Sequence, residues 1–186
     1  MKKNNHNKTI AIFCGSKLGK NNIYKKEVSN ITKLISKYKF NIIYGGGKIG
    51  LMGIVYKTYT KLNSKIIGII PKFLNKPEIR QENIKTLQVV NSLHHRKILM
   101  VKNADIFLIL PGGFGTLDEL FEILTLNQLK IYNKPVIIFN ISNYWKNLKL
   151  LIKTMHKEEF LYKQDITNII WVNNIKNLEK ILITLK

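Results

Sequence analysis

Short apolar runs alternate with longer amphipathic stretches along this chain. Runs rich in β-branched and aromatic residues at Thr9–Cys14, Asn41–Tyr44, Lys65–Ile70, Thr86–Val90, Asp105–Leu110, Pro135–Phe139 and Ile169–Val172 predict strands. Apolar positions at helical spacing predict helices over Asn22–Tyr38, Leu51–Leu62, Leu93–Asn103, Leu117–Leu129, Tyr144–Lys157 and Ile175–Leu185. Strands that alternate with helices in this way predict an α/β architecture, a mostly parallel sheet with helices on both faces. At 186 residues the chain is long enough for one full core, so residues 1–186 are read as a single domain, with residues 1–8 polar and flexible. The segment Pro71–Lys85, with two prolines and several charges, predicts a long loop, and long loops in small domains are often functional.

Glycine placement adds a site to this scheme. Ten of the 11 glycines fall in three clusters, at 15 and 19, at 45 to 53 and at 112 to 115, each after a predicted strand. Ligands of open α/β sheets bind just beyond the carboxyl ends of strands. Gly15 and Gly19 taken alone read equally well as tight turns between strand and helix. The third cluster says most. Pro111-Gly-Gly-Phe-Gly-Thr-Leu-Asp-Glu119 predicts a strand end, a close glycine turn and a helix start, with Thr116 as its N-cap. Amides at such a helix end suit a phosphate. Carboxylates beside a phosphate site repel the ligand, yet Asp118, Glu119 and Glu122 are three of only 11 acids in the chain. Their presence predicts chemistry on a phosphorylated substrate. Gly45-x-Gly47-x-x-Gly50 also matches a dinucleotide fingerprint, but no acid lies in the 27 residues after it to hold a ribose. A mononucleotide phosphate loop is the reading that remains.

The motif P-G-G-x-G-T-x-x-E, completed by Glu119, resembles the signature of the LOG (Lonely Guy) family of nucleoside 5'-monophosphate phosphoribohydrolases, often mislabelled lysine decarboxylases. Phe13-Cys14-Gly15-Ser16 is similar to that family's first phosphate loop, and Gly45-Gly46-Gly47 with Gly50-Leu51-Met52-Gly53 to its second. Ser92-Leu93-His94-His95-Arg96-Lys97 resembles its M-H-x-R-K element, with Leu93 in place of methionine. The resemblance runs from about Lys8 to the end of the chain. It implies a Rossmann-like fold and cleavage of the N-glycosidic bond of purine nucleoside 5'-monophosphates, N6-prenylated ones included, to free base and ribose 5-phosphate. It implies no cofactor, and it implies a homodimer with active sites near the interface.

Such a cleavage moves positive charge onto the ribose and needs a carboxylate near the anomeric carbon. Glu119 is the first candidate, in the first helical turn after the glycine loop. Glu122, one turn on, shares its face, and two carboxylates this close can raise one pKa. Asp118 reads as a solvated or capping acid. Arg96 is the second candidate, one of only two arginines in a chain that otherwise uses lysine. The resemblance makes it catalytic, with Lys97 beside it. His94 is read as orienting its neighbours through hydrogen bonds. Substrate contacts are expected from Gly15, Ser16, Gly46, Gly47, Met52, Lys97, Gly112, Gly113, Gly115 and Thr116, and by resemblance from Glu78 and Thr125. With one cysteine and no His/Cys/Asp cluster at ligand spacing, no metal is expected, and Cys14 reads as a small core residue.

Charge changes little in this picture. The net charge is +20, but the lysines are spread along the chain rather than gathered in a stripe, so no specific nucleic-acid partner is expected. No apolar run approaches the roughly 20 residues of a membrane span, and residues 1–8 carry no signal-peptide pattern. A single cysteine fits a reducing cytoplasm. Seven apolar positions on the helices after residues 92 and 116 (Ile98, Leu99, Val101, Leu120, Phe121, Leu124 and Leu126) exceed what one sheet face covers, which also predicts a homodimer. A non-catalytic nucleotide or molybdenum-cofactor carrier of the same fold is the alternative function. It would need the phosphate loops but not Glu119 with Arg96.

Overall fold

The structure, a computed structural model, describes residues 7–81 and 86–186. Seven strands form one sheet: β1 (Thr9–Phe13), β2 (Asn41–Tyr44), β3 (Ile66–Pro71), β4 (Leu87–Val90), β5 (Ile106–Ile109), β6 (Val136–Phe139) and β7 (Ile169–Val172). Their order is β4-β3-β2-β1-β5-β6-β7, and every strand pairing is parallel. The sequence predicted a mostly parallel sheet; among the described residues all the paired strands are parallel, and antiparallel pairing is confined to an isolated bridge between Gly47 and Arg80.

Successive residues of a strand face opposite sides, and here both sides are covered. Ile10, Ile12, Ile42, Tyr44, Leu108 and Phe139 pack against α1 (Asn22–Lys37), α2 (Gly50–Thr60) and α7 (Ile175–Leu185). Ala11, Phe13, Ile43, Phe107, Ile109 and Ile138 pack against α3 (Leu93–Asn103), α4 (Phe114–Gln128) and Trp145, which leads into α5 (Lys146–Lys157). Each fully buried isoleucine or phenylalanine of these two layers contributes roughly 1.5–3 kcal/mol by leaving water. The inner strands β1, β2, β5 and β6 read as nearly continuous apolar runs because neither face meets solvent, whereas Gln88 and Val89 of the edge strand β4 are exposed.

The strand order reverses between β1 and β5. From β1 the chain steps outward through β2, β3 and β4, then returns to lay β5 on the other side of β1. Loops leaving β1 and β5 therefore diverge and open a crevice at the carboxyl edge of the sheet.

Departures from the sequence reading are local. The helix after the third glycine cluster starts at Phe114, three residues earlier than predicted, and Gly113 is its N-cap with no side-chain cap bond. Thr116 is thus inside the helix rather than capping it; its hydroxyl turns back toward Gly112. The long loop contains a 3-10 turn at Lys72–Leu74, and its last residues, 82–85, lie outside the described ones. A four-residue helix, α6 (Lys163–Ile166), follows α5 where no element was expected, begun by Asp165 accepting the Tyr162 amide at 2.7 Å. Residues 1–6 of the expected flexible stretch lie outside the described residues. Lys8 is hydrogen-bonded to the fold: its Nζ donates to the Leu185 carbonyl and its own carbonyl accepts the Asn41 amide, at 2.8 and 2.9 Å. No helix among the described residues is long and apolar enough to cross a membrane.

Candidate active site

All three glycine clusters meet at the β1/β5 crevice, and backbone contacts lock them together. The Gly15 amide donates to the Pro111 carbonyl and the Leu51 amide to the Gly15 carbonyl, each at 3.0 Å. Gly50 sits at φ +61°, and a Cβ there would lie 2.2 Å from the Ser16 carbonyl carbon. No other residue fits where α2 starts beneath the first loop. A Cβ on Gly112 would collide with Thr116 Oγ1 at 2.0 Å.

Gly113 and Gly115 differ. A Cβ at either position would meet nothing within 4 Å, and neither has a positive φ. Packing does not ask for glycine there, yet two of them flank the exposed Phe114 at the first turn of α4. Gly113 lines the crevice, and the positive end of the α4 dipole lies at this turn.

Gly15, Ser16, Gly112 and Gly113 line a cleft of about 370 Å³ whose walls are Tyr24 and Tyr144. The two rings meet edge to face at 5.9 Å, and Tyr144 Oη donates to the Gly112 carbonyl at 2.5 Å. Neither tyrosine was singled out from the sequence. Their only signal there is an aromatic residue near a turn, which is indistinguishable from core.

Charged groups gather on the β2 side of the crevice. Ser92 caps α3 by accepting the His95 amide at 3.0 Å, which fixes Arg96 and Lys97 in its first turns. Arg96 Nη2 meets Glu119 Oε1 of α4 at 2.8 Å, with side chains only 13% and 9% exposed. Gly45, which sequence reasoning passed over for its two neighbours, makes the room: a Cβ on it would lie 2.4 Å from Arg96 Nη2 and 3.0 Å from Met52 Sδ. Lys97 Nζ reaches two acids, Asp118 at 2.9 Å and Glu122 at 2.8 Å.

Burial raises the Glu119 carboxyl from an ordinary 4.5 to about 7; Arg96 opposes the rise, and Asp118 and Glu122 add to it. Closeness of Glu122 was the expected cause, but desolvation is the largest one and the Glu122 charge the smallest. The Cys14 thiol is pushed far above its usual range, first by burial and then by the Glu119 charge. It remains a neutral core group at the edge of the site.

Gly46 and Gly47 follow β2 beneath the strap that runs to Gln81: the Gln81 amide donates to the Gly46 carbonyl at 3.0 Å, and the Lys48 amide donates to the Ile79 carbonyl at 2.8 Å. Glu78 is exposed on that strap, one residue from its contact with the glycine loop. Asp118 is not simply solvated or capping, since it holds Lys97. His94 is exposed and its ring forms no hydrogen bond among the described residues, so the orienting role expected of it has no contact behind it. Thr125 is not brought to the cleft within one chain; it opens onto a separate pocket of about 130 Å³ with Phe121, Met155 and Leu161.

The family described as "possible lysine decarboxylase" matches residues 52–182. Cytokinin riboside 5'-monophosphate phosphoribohydrolase LOG1 of Arabidopsis thaliana is 39% identical over 155 residues, covering 83% of this chain and 72% of that protein. LOG7 of the same plant is 36% identical over 171 residues, covering 92% and 79%. Among solved structures, the molybdenum cofactor binding protein of Rippkaea orientalis aligns with a TM-score of 0.74 over 97% of this chain and 98% of that one, at 16% identity. DNA processing protein A of Helicobacter pylori aligns with a TM-score of 0.62 over 95% and 80%, also at 16% identity. Likenesses at that identity show a shared fold alone. The sequence relatives show more: with the glycine loops, Arg96 and Glu119 assembled at one crevice, the chain belongs to the LOG family.

Proposed function

We propose that this chain hydrolyses the N-glycosidic bond of purine nucleoside 5'-monophosphates, adenine nucleotides with or without an N6-prenyl group, releasing the base and ribose 5-phosphate. The observation that carries the reading is the buried Arg96–Glu119 pair, held beside phosphate-suited backbone at the crevice of the sheet.

The 5'-phosphate rests on the amides around Gly113 and Gly115, with Thr116, Gly112, Gly15 and Ser16 beneath it. Its binding energy positions the ribose. As the bond from C1' to the base breaks, its electron pair leaves with the base and positive charge grows on the ribose. Ionised Glu119 stabilises that charge and takes a proton from the attacking water, whose oxygen bonds to C1'. The proton is then passed on to the departing base. A carboxyl that titrates near 7 is suited to both halves of that transfer. Arg96 orients Glu119 and keeps part of its population ionised despite burial. Met52, Gly46, Gly47 and Glu78 flank the sugar and base. A carrier protein would gain nothing from a buried carboxylate at this point, which favours the hydrolase.

The proposal takes residues 1–186 as one domain, supported by one sheet that runs from Thr9 to Val172. It includes a homodimer in a cytoplasmic setting. Leu93 and Ile98 on α3 and Leu129 and Ile131 after α4 present apolar side chains to solvent, although Val101 and Leu120, first counted for the interface, are buried in the core. Sedimentation should find a dimer at micromolar concentration, and a monomer would remove that part. Incubation with AMP and N6-prenyl-AMP, with chromatographic separation of base from nucleotide, tests the reaction. Tight nucleotide binding without base release would leave the carrier.

A further inference from the structure

Asp118, Glu119 and Glu122 project from one stretch of α4 against two cations, Arg96 and Lys97, on α3. The pairing is ordered. Arg96 takes Glu119 at 2.8 Å, while Lys97 takes Asp118 at 2.9 Å and Glu122 at 2.8 Å. Fully ionised, the five groups carry one net negative charge, so one carboxylate is the natural home of a proton. Lys97 bears directly on two of the three. Its own side chain is 17% exposed and that of Glu122 23%, so this pair is screened less than one at the open surface, whereas Asp118, 59% exposed, is the more solvated partner.

Resting on the hydrolase reading above, we propose that Lys97 is a positioning residue of the reaction: by holding Glu122 and Asp118 as charged partners, it confines the site's exchangeable proton to Glu119. A phosphate-binding role suits this amine less well, because it is already committed to two carboxylates. The groups that face Glu119 are Arg96 and Lys97 from α3, Asp118 and Glu122 from its own helix, and the Cys14 thiol from the end of β1. His94 and His95 stand exposed at the start of α3.

Carbon NMR titration of the substrate-free protein, with labelled glutamate and signals assigned through Glu119→Gln and Glu122→Gln, reads the proton directly. Lys97→Met keeps the aliphatic stem and removes the charge; the Glu122 midpoint should rise so that it competes for the proton, and the Glu119 midpoint should rise by about one pH unit, the size expected for loss of one nearby charge. Lys97→Arg should restore it. Glu122→Gln removes a negative neighbour instead and should move the midpoint down, which keeps the test decisive if Lys97→Met does not fold. An unmoved Glu119 midpoint in a folded Lys97→Met protein, or shifts of the same sign in Lys97→Met and Glu122→Gln, overturns the proposal. In turnover, Lys97→Met should shift the pH profile toward alkaline with KM for AMP changed less than about threefold. A large rise in KM with an unmoved profile makes Lys97 a phosphate ligand and also overturns it. Because the titration needs no substrate, failure to release base from AMP would remove the hydrolase reading and leave the placement of the proton standing.

Discussion

At its glycine-loop end the crevice offers backbone: amides of Gly113 and Gly115, the start of α4, and no charged side chain among the wall residues but Lys17. At the β2 end it offers side chains, a buried Arg96–Glu119 pair flanked by Lys97 with its two acids. Backbone donors have no pKa near neutrality and are fixed by the fold. The carboxylate end depends on burial, on pH and on partners from another helix. The first end is suited to holding an ionised group, the second to changing its own charge during a reaction.

The largest effect separating the two ends should come from Glu119→Gln. Glutamine is nearly isosteric but cannot stabilise a developing cation or take a proton, so kcat should fall by about 10²–10³-fold with little change in KM. Arg96→Ala should lose turnover comparably. Retention of more than about a tenth of wild-type kcat, a barrier change under about 1.4 kcal/mol, would take the charge-stabilising role away from Glu119.

The same residue carries a stability signature. Its folded pKa, about 7, lies above the ordinary 4.5, so its contribution is fully present below 4.5 and is lost as pH rises through 7. Wild-type stability should decline across that window by up to about 3 kcal/mol relative to a protein lacking the group. Denaturant titrations between pH 4.5 and 8 should show that slope disappearing in Glu119→Gln, whatever the variant's absolute stability. Parallel slopes in the two proteins would mean that water reaches the carboxyl more freely than its burial indicates.

The backbone end is tested by removing the phosphate instead. Adenosine should be cleaved at least about a hundredfold less efficiently than AMP in kcat/KM, roughly 2.7 kcal/mol of positioning energy. Equal values would make the glycine loops structural turns and weaken the nucleotide reading as a whole.

These ends also differ in how far the sequence reveals them. Asn41–Tyr44 and Ile169–Val172 were placed to the residue because β-branched runs bounded by polar residues have one reading. The three glycine clusters announced their convergence, since each follows a strand of a parallel sheet. The start of α4 was misread because Thr116 has the chemistry of a cap, whereas Gly113 takes that position with no side-chain bond. Arg96 and Glu119 were legible one by one. Their pairing, and the commitment of Lys97 to Asp118 and Glu122, depend on how α3 and α4 are set against one another, which no spacing within either helix encodes. Gly45 was seen as part of a glycine loop, but what constrains it was hidden for the same reason: it is the Arg96 guanidinium, 51 residues away.

The smallest predicted effect divides the backbone end itself. Gly112 and Gly115 stand three residues apart, yet a methyl group on the first would press on Thr116 Oγ1 at 2.0 Å while one on the second would meet nothing within 4 Å. Gly112→Ala should therefore be destabilised by about 1–3 kcal/mol through overpacking. Gly115→Ala removes a glycine from a helix and should gain a few tenths to about 1 kcal/mol. In a protein of this size that is a rise in Tm of roughly 1–4 °C. If the phosphate approaches the amides of this turn, the gain in stability comes with a loss of function: the added methyl stands between backbone and ligand, and KM for AMP should rise while the fold improves. Thermal melts and AMP kinetics on the one variant read both quantities. A Gly115→Ala protein that is more stable and binds AMP as well as the wild type would move the phosphate off this turn, toward the Gly15 side of the cleft.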